Sequence, residues 1–330
     1  MLKILGVVFV MFSVLPFAAR ADHRGIILIH AGYGTPGKFV LQGRVLEGEG
    51  IRAADKDLGR FANVVDSFNT LETDELKGVG VEVEIDGRSF ASRTDDDGVW
   101  RIESQDLLSP LPTGALPITV RATGETGYVI ADAHGVVHIF GDEPGIAVIS
   151  DFDDTVANSG VTDKKRLIAR TLTKNAAQME VVAGASVAFR HAMQAGARGV
   201  FYVSGSPQNL HERITEFLRI QQMPPGPILL KNFGEDPLTK HVEYKVERIT
   251  HLMNLLPNLS FILVGDSGEK DPEIYRIVAE RYPRRVIGIV IRRVNDADNT
   301  DSRLFGMTAL DDYTGDPEVL AKLINKVRMK

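Results

Sequence analysis

The chain has 330 residues, a formal net charge of −6, 44% apolar residues and 25% charged residues. That length can support two hydrophobic cores, and the acidic balance gives no footing for nucleic-acid binding or a strongly basic membrane-docking surface. With no cysteine anywhere, disulfides, thiol catalysis and thiolate metal sites are excluded.

At the start, Lys3 precedes an apolar run from Ile4 to Phe17, and Ala19-Arg20-Ala21 sets small residues where a signal peptidase reads. The run is shorter than the ~20 residues that span a bilayer, so residues 1–21 read as a cleaved signal peptide and predict a periplasmic or secreted protein. From 22 to 144 the pattern is mostly strands, at 25–30, 39–46, 81–85, 88–94, 99–102, 116–122 and 136–140. One helix is expected at about 58–68. Short strands with turn-rich connections predict a β-sandwich accessory domain over 22–144.

Two stretches of this region imitate binding sites. Gly32-Tyr33-Gly34-Thr35-Pro36-Gly37-Lys38-Phe39 nearly spells a phosphate-binding loop. Phe39, however, stands where a magnesium-binding hydroxyl belongs, and a strand rather than a helix follows. The acidic turn Asp95-Asp96-Asp97-Gly98 lacks the distal glutamate of a calcium loop and reads as a solvated hairpin tip.

Beyond residue 145 strands and helices alternate. Strands are expected at 147–150, 199–203, 228–230, 260–264 and 286–291. Helices are expected at about 164–173, 185–195, 207–219, 242–256 and 272–282, and a last one from Pro317. Pro207 and Pro272 suit a first helical turn, where the missing N–H costs nothing. The alternation predicts an α/β catalytic domain over 145–330, a Rossmann-like parallel sheet with helices on both faces.

Its strands end in reactive residues. Ala147-Val148-Ile149-Ser150 is continuously apolar, as in a strand covered on both faces, and runs into Asp151-Phe152-Asp153-Asp154-Thr155. Acids at the carboxyl end of such a strand lie where open α/β sheets bind ligands. Asp151 and Asp153 would repel each other, and a hard carboxylate pair suits Mg²⁺. The next strand ends in Ser204-Gly205-Ser206-Pro207, and a later one in Gly265-Asp266-Ser267-Gly268-Glu269-Lys270-Asp271-Pro272. Lys245 opens the helix between them, with Lys231 and Lys240 as competitors for its role. Phosphoryl transfer needs this mixture of a nucleophile, an acid, cationic groups and hydrogen-bond donors.

In that order, Asp151-x-Asp153-x-Thr155, Ser204, Lys245 and Asp266…Asp271 resemble the four motifs of the haloacid dehalogenase superfamily of phosphatases. More narrowly, Phe201–Pro207 and Phe261–Tyr275 resemble the actin-patch-associated phosphatidate phosphatase family over about 145–293. The resemblance implies a haloacid-dehalogenase-like fold with little or no cap, and Mg²⁺ as cofactor. It implies Asp151 as nucleophile and metal ligand, and Asp153 as general acid/base whose backbone carbonyl also meets the metal. Asp266 would be a further ligand, and Asp271 an acid at the metal's water. Ser204 and Lys245 would bind phosphate, with Asp154 and Thr155 supporting the loop. The implied substrate is phosphatidate, with peripheral membrane contact. Gln208 and Tyr244 depart from residues common in that family. A soluble or protein-bound phosphate ester stays open as substrate, as does a secreted binding protein with a degenerate phosphatase domain. Oligomeric state is not legible.

Overall fold

The structure is a computed structural model that describes residues 25–48, 75–124, 127–158, 176–232, 241–294 and 301–329. The expected signal at 1–21, and the helices expected at 58–68 and 164–173, lie outside the described residues.

The first seven strands are β1 (Gly25–Thr35), β2 (Lys38–Glu47), β3 (Gly80–Ile85), β4 (Arg88–Arg93), β5 (Val99–Ser104), β6 (Gly114–Thr123) and β7 (Val129–Ile139). They form one hydrogen-bonded sheet in the order β4-β3-β6-β7-β1-β2-β5, not the two separately paired sheets of the expected sandwich. All neighbours are antiparallel except β1 and β7, which run parallel through Tyr33–His138 and Gly34–Ile139. The sheet curls until its edges approach, and Ser92 Oγ on β4 donates to Arg101 O on β5 at 2.8 Å. Its concave side is apolar because alternate residues face inward: Val81, Val83 and Ile85 are buried, while Glu82 and Glu84 between them are exposed. Phe39 meets Phe90 edge-on across this interior, with ring centroids 5.0 Å apart. Gly43 lies opposite Trp100 in the ladder, and a Cβ there would come within 2.5 Å of the indole. Strand count was readable from turn spacing, but pairing was not, because curling or splitting depends on contacts far apart in sequence. The loop resembling a phosphate cradle is only the tight β1–β2 turn at Pro36–Gly37.

The second sheet is built from β8 (Gly145–Ser150), β11 (Val200–Pro207), β12 (Ile228–Lys231), β13 (Leu259–Asp266), β14 (Val286–Arg292) and β15 (Thr308–Leu310). A small ladder, β9 (Ala157–Asn158) with β10 (Glu180–Val181), lies beside it. The six strands are all parallel, in the order β12-β11-β8-β13-β14-β15. Strand β15, which the sequence did not announce, extends the edge. Among the described residues the helices are α1 (Ala185–Gln194), α2 (His211–Ile220), α3 (His241–Leu255), α4 (Asp271–Arg281) and α5 (Val319–Arg328). Among the described residues no helix is long and apolar enough to cross a membrane.

Period-two alternation divides the packing. Val148, Val200, Tyr202, Ile262 and Val264 face α1, α2 and α5. Ala147, Ile149, Phe201, Phe261 and Leu263 face α3 and α4. Tyr33 and Val40 of the first sheet join the second of these cores, with Tyr33 edge-on to Phe201 at 5.8 Å. The chain leaves the central strand β8 for β11 and β12 on one side and later adds β13, β14 and β15 on the other. This reversal is the switch point where parallel sheets open a crevice at their carboxyl ends.

Candidate active site

Three neighbouring strands end at that crevice. The ladder pairs Ser150 with Tyr202 on one side and with Val264 on the other. Asp151, one residue past Ser150, donates its backbone N–H to Val264 O at 2.8 Å. Asp266 is the last residue of β13, and Asp271 is the first of α4 with Pro272 in the opening turn. Asp151, Asp266 and Asp271 are buried, and one carboxylate oxygen of each lies within 4.8 Å of the others.

Lys245, in the second turn of α3, is buried between two of them. Its Nζ donates to Asp151 Oδ1 and to Asp271 Oδ1, both at 2.7 Å. Asp271 Oδ2 accepts from the Asp266 backbone N–H at 3.2 Å. Asp266 Oδ1 accepts from the N–H groups of Gly268 and Glu269, at 2.7 and 3.2 Å. Asp266 Oδ2 has no hydrogen-bond partner among the described residues. Gly265 keeps this turn tight, since a Cβ there would stand 2.7 Å from the Asp271 Cβ. Thr155 is fully buried, and its hydroxyl reaches toward Asp151 Oδ2 at 3.4 Å.

Burial is the main force raising the Asp151 and Asp266 carboxyls well above their ordinary range. Lys245 opposes that rise on both, while Asp271 adds to it. On Lys245 itself burial disfavours the charge, but Asp151 and Asp271 outweigh it, so the ammonium is held. Three carboxylates sharing one ammonium leave negative charge uncompensated in a dry setting. The donor set therefore fits a hard divalent cation, for which Asp151 and the unpartnered Asp266 Oδ2 are the natural protein ligands.

Asp153 stands apart from this cluster. It is half-buried, and its Oδ2 accepts from Ser204 Oγ at 3.2 Å and Ser206 Oγ at 2.8 Å. The Ser206 N–H donates to Ser204 Oγ at 3.0 Å. Burial lifts the Asp153 carboxyl, and the two serine hydroxyls pull it back in part. Its side chain thus lies with hydroxyls, apart from the three acids, and the resemblance gave the metal only its backbone carbonyl. Asp154 adopts φ 55°, and its carbonyl accepts from Arg292 Nη1 at 2.7 Å.

The sequence brought Asp151, Asp153, Ser204, Lys245, Asp266 and Asp271 to one crevice, and the structure gathers them there. Lys231 is fully buried with its Nζ 5.5 Å over the Tyr244 ring, while Lys245 holds the carboxylates. Lys240 lies outside the described residues. Pro207 closes β11 in extended geometry rather than opening a helix, and a 3₁₀ turn at Gln208–Leu210 follows before α2. Three residues went unassigned. Ser206 was findable, because residues two apart on a strand share a side. Arg292 was visible only as a strand end. Arg303, which donates to Ser267 O at 3.0 Å and Glu269 O at 3.4 Å, carried no local signal.

Residues 146–293 match the family model described as phosphatidate phosphatase APP1, catalytic domain. The match spans Asp151, Asp153, Ser204, Lys245, Asp266 and Asp271, and leaves Arg303 outside. The chain is also 31% identical over 229 residues to phosphatidate phosphatase APP1 of Saccharomyces cerevisiae, across 67% of this chain and 36% of that protein. It is 31% identical over 157 residues to the uncharacterised protein C29B5.04c of Schizosaccharomyces pombe, across 46% of this chain and 26% of that one. The chain thus spans well under half the length of either relative. A solved chain of the Pnkp1/Rnl/Hen1 RNA repair complex aligns with 46% of this chain and 44% of its own, at 17% identity and a TM-score of 0.35.

Proposed function

We propose that the protein is a metal-dependent phosphatidate phosphatase of haloacid-dehalogenase type, working through an aspartyl-phosphate. The observation that carries this reading is the convergence of Asp151, Lys245, Asp266 and Asp271 within hydrogen-bonding reach at the ends of β8 and β13. The similarity of 146–293 to the phosphatidate phosphatase catalytic domain supports the substrate class.

Asp151 Oδ2, which is free of Lys245, attacks phosphorus, and the bond from phosphorus to the leaving oxygen breaks. The Asp153 carboxyl gives its proton to the departing alkoxide, so an alcohol leaves. Asp153, now a carboxylate, takes a proton from water as that water displaces the Asp151 oxygen from phosphorus, releasing inorganic phosphate. Ser204 and Ser206 hold Asp153 in place. Lys245 neutralises Asp151 and offsets charge on the phosphoryl oxygens. A divalent cation held by Asp151 and Asp266 would screen the like charges of nucleophile and phosphoryl group.

The apolar run at 4–17 supports export to the periplasm or outside the cell, and the change of pattern near 145 supports a catalytic domain from there onward. Purified protein with Mg²⁺ is expected to release phosphate from phosphatidate vesicles far faster than from soluble sugar phosphates, and to stop on chelation. The reverse ranking would reject the lipid and leave a soluble-ester phosphatase. Turnover unaffected by chelator would reject the metal.

A further inference from the structure

The two carboxylate oxygens of Asp266 are treated differently. Oδ1 accepts from the N–H groups of Gly268 and Glu269, while Oδ2 is buried and has no hydrogen-bond partner among the described residues. That division depends on how the peptide between Ser267 and Gly268 is turned. Its N–H donates to Asp266 Oδ1 at 2.7 Å, and its carbonyl oxygen accepts from Arg303 Nη2 at 3.0 Å. A trans peptide is planar, with C=O and N–H directed to opposite sides, so holding the oxygen aims the N–H. The other bonds of this turn act one step earlier. Ser267 donates its N–H to Arg292 O at 2.9 Å, and its Oγ accepts from the Val294 N–H at 2.9 Å. They tie residue 267 to the end of β14 and leave the next peptide to rotate. Gly268 resists that rotation least of all residue types, having no side chain. A flipped peptide would turn its carbonyl oxygen toward the Asp266 carboxylate and take away the closest donor to Oδ1.

We propose that Arg303 is a positioning residue, which locks the Ser267–Gly268 peptide and so keeps Asp266 Oδ2 free of the backbone and available to a divalent cation. This role rests on the metal dependence proposed above. Arg303 is itself held from behind. Asp301 accepts from Nε at 3.1 Å on each carboxylate oxygen, and its Oδ2 accepts from Nη2 at 2.7 Å. That two-point pairing fixes the plane of the guanidinium fork. It also compensates the charge, so Arg303 acts through the direction of its N–H groups rather than as a bare cation. A second arm, Nη1, reaches Glu269 O at 3.4 Å. The backbone is tied as well, since Arg303 O accepts from Arg276 Nη2 of α4 at 2.8 Å, and α4 is the helix that Asp271 opens. Residues that orient a metal ligand in this way set its affinity for the ion. Arg303 lies beyond residues 146–293, so this support comes from outside the stretch matched by the family model.

The test is equilibrium metal binding by the full-length chain without substrate. Mn²⁺ is titrated into the protein, and the free ion is followed by electron paramagnetic resonance. Parental protein is compared with Arg303→Gln and with a charge-matched control, Arg219→Gln, whose side chain is 71% exposed and paired with Glu216. Arg303→Gln is expected to raise the Mn²⁺ Kd about tenfold, at the low end of the ~10–100-fold range for residues that orient a metal ligand, with the control unchanged. Raised Mg²⁺ should then recover most of the phosphatase turnover that Arg303→Gln loses, which a merely structural role would not allow. An Mn²⁺ Kd equal in Arg303→Gln and parental protein overturns the role of Arg303 and leaves the metal reading intact. A parental protein that binds no Mn²⁺ removes both. Should Arg303→Gln unfold, Asp301→Asn loosens the guanidinium from behind with Arg303 still in place, and an unchanged Kd there overturns the role equally.

Discussion

The two halves of the crevice are built on opposite principles. Asp151, Asp266, Asp271 and Lys245 are charged, buried and fixed by strand ends and a helix start, so their positions follow from the sheet itself. Asp153, Ser204 and Ser206 form a trio of hydroxyls and one carboxyl at the end of β11 and just past β8, with Ser204 buried and the other two half-buried. The first half suits holding charge still, and the second suits moving a proton. The second is also where the curled sheet reaches in. Arg44 of β2, itself buried, donates to Asn209 Oδ1 at 2.8 Å, three residues past Ser206. His211 Nε2 meets His30 O at 2.6 Å, one turn further on.

If the halves differ in this way, their substitutions should differ in kind. Asp151→Asn should lower kcat by about 10⁴-fold or more, as removing the proposed nucleophile from an interdependent set would, with the fold intact by circular dichroism. Ser206→Ala should cost only about tenfold, near the worth of one hydrogen bond to a charged group. Equal losses in steady-state rates would erase the distinction. Lys245→Met strikes the first half through stability instead. It strands buried carboxylates, so denaturant unfolding should show a loss of about 3–5 kcal/mol. Added divalent cation should restore part of it, by binding the folded state alone.

Acid separates the regions as well. Burial, then His211 and Arg44, hold the His30 pKa well below 6.5. The unfolded chain therefore binds a proton that the folded chain refuses, and stability falls as pH drops below about 6.5, by up to about 1.4 kcal/mol per pH unit. The raised Asp151 and Asp266 carboxyls act in the other direction, since the folded state there binds protons more readily than the unfolded one. Between pH 6.5 and 5, His30→Gln should flatten the acid-side loss in unfolding free energy and leave the carboxylate contribution. An unchanged slope would remove His30 from the acid response.

Much of the first half was legible in sequence because it obeys short-range rules. An apolar run ending in Asp151, and another ending in Asp266, must deliver those acids to one edge once the strands are parallel. The second half was less so. Ser204 was readable as a strand end, but Ser206 needed the strand to continue to Pro207, and the proline argued for a helix instead. Arg44 and Arg303 lie outside residues 146–293, and what they hold is fixed by tertiary contacts across 165 and 36 residues of chain. No local pattern announces such partners. The curled sheet shows the same limit, since its strands were countable while its single-sheet pairing was not.

The smallest expected effect tests whether the curled sheet belongs to the catalytic machinery. Arg44 also donates to Glu75 Oε1 and Asp97 O, so Arg44→Ala alone mixes loss of the sheet's own bonds with loss of the link to Asn209. A double-mutant cycle separates them. Arg44→Ala and Asn209→Ala should each lower kcat with little change in KM, and the pair should lower it by less than the product of the single effects. The coupling expected for a direct contact is about 1 kcal/mol, within the range for interacting residues. Asn209→Asp keeps an acceptor for the guanidinium and should stay near the parental kcat. Fully multiplicative losses would mean that Arg44 serves only its own sheet, and that the turn following Ser206 is held from within the parallel sheet alone.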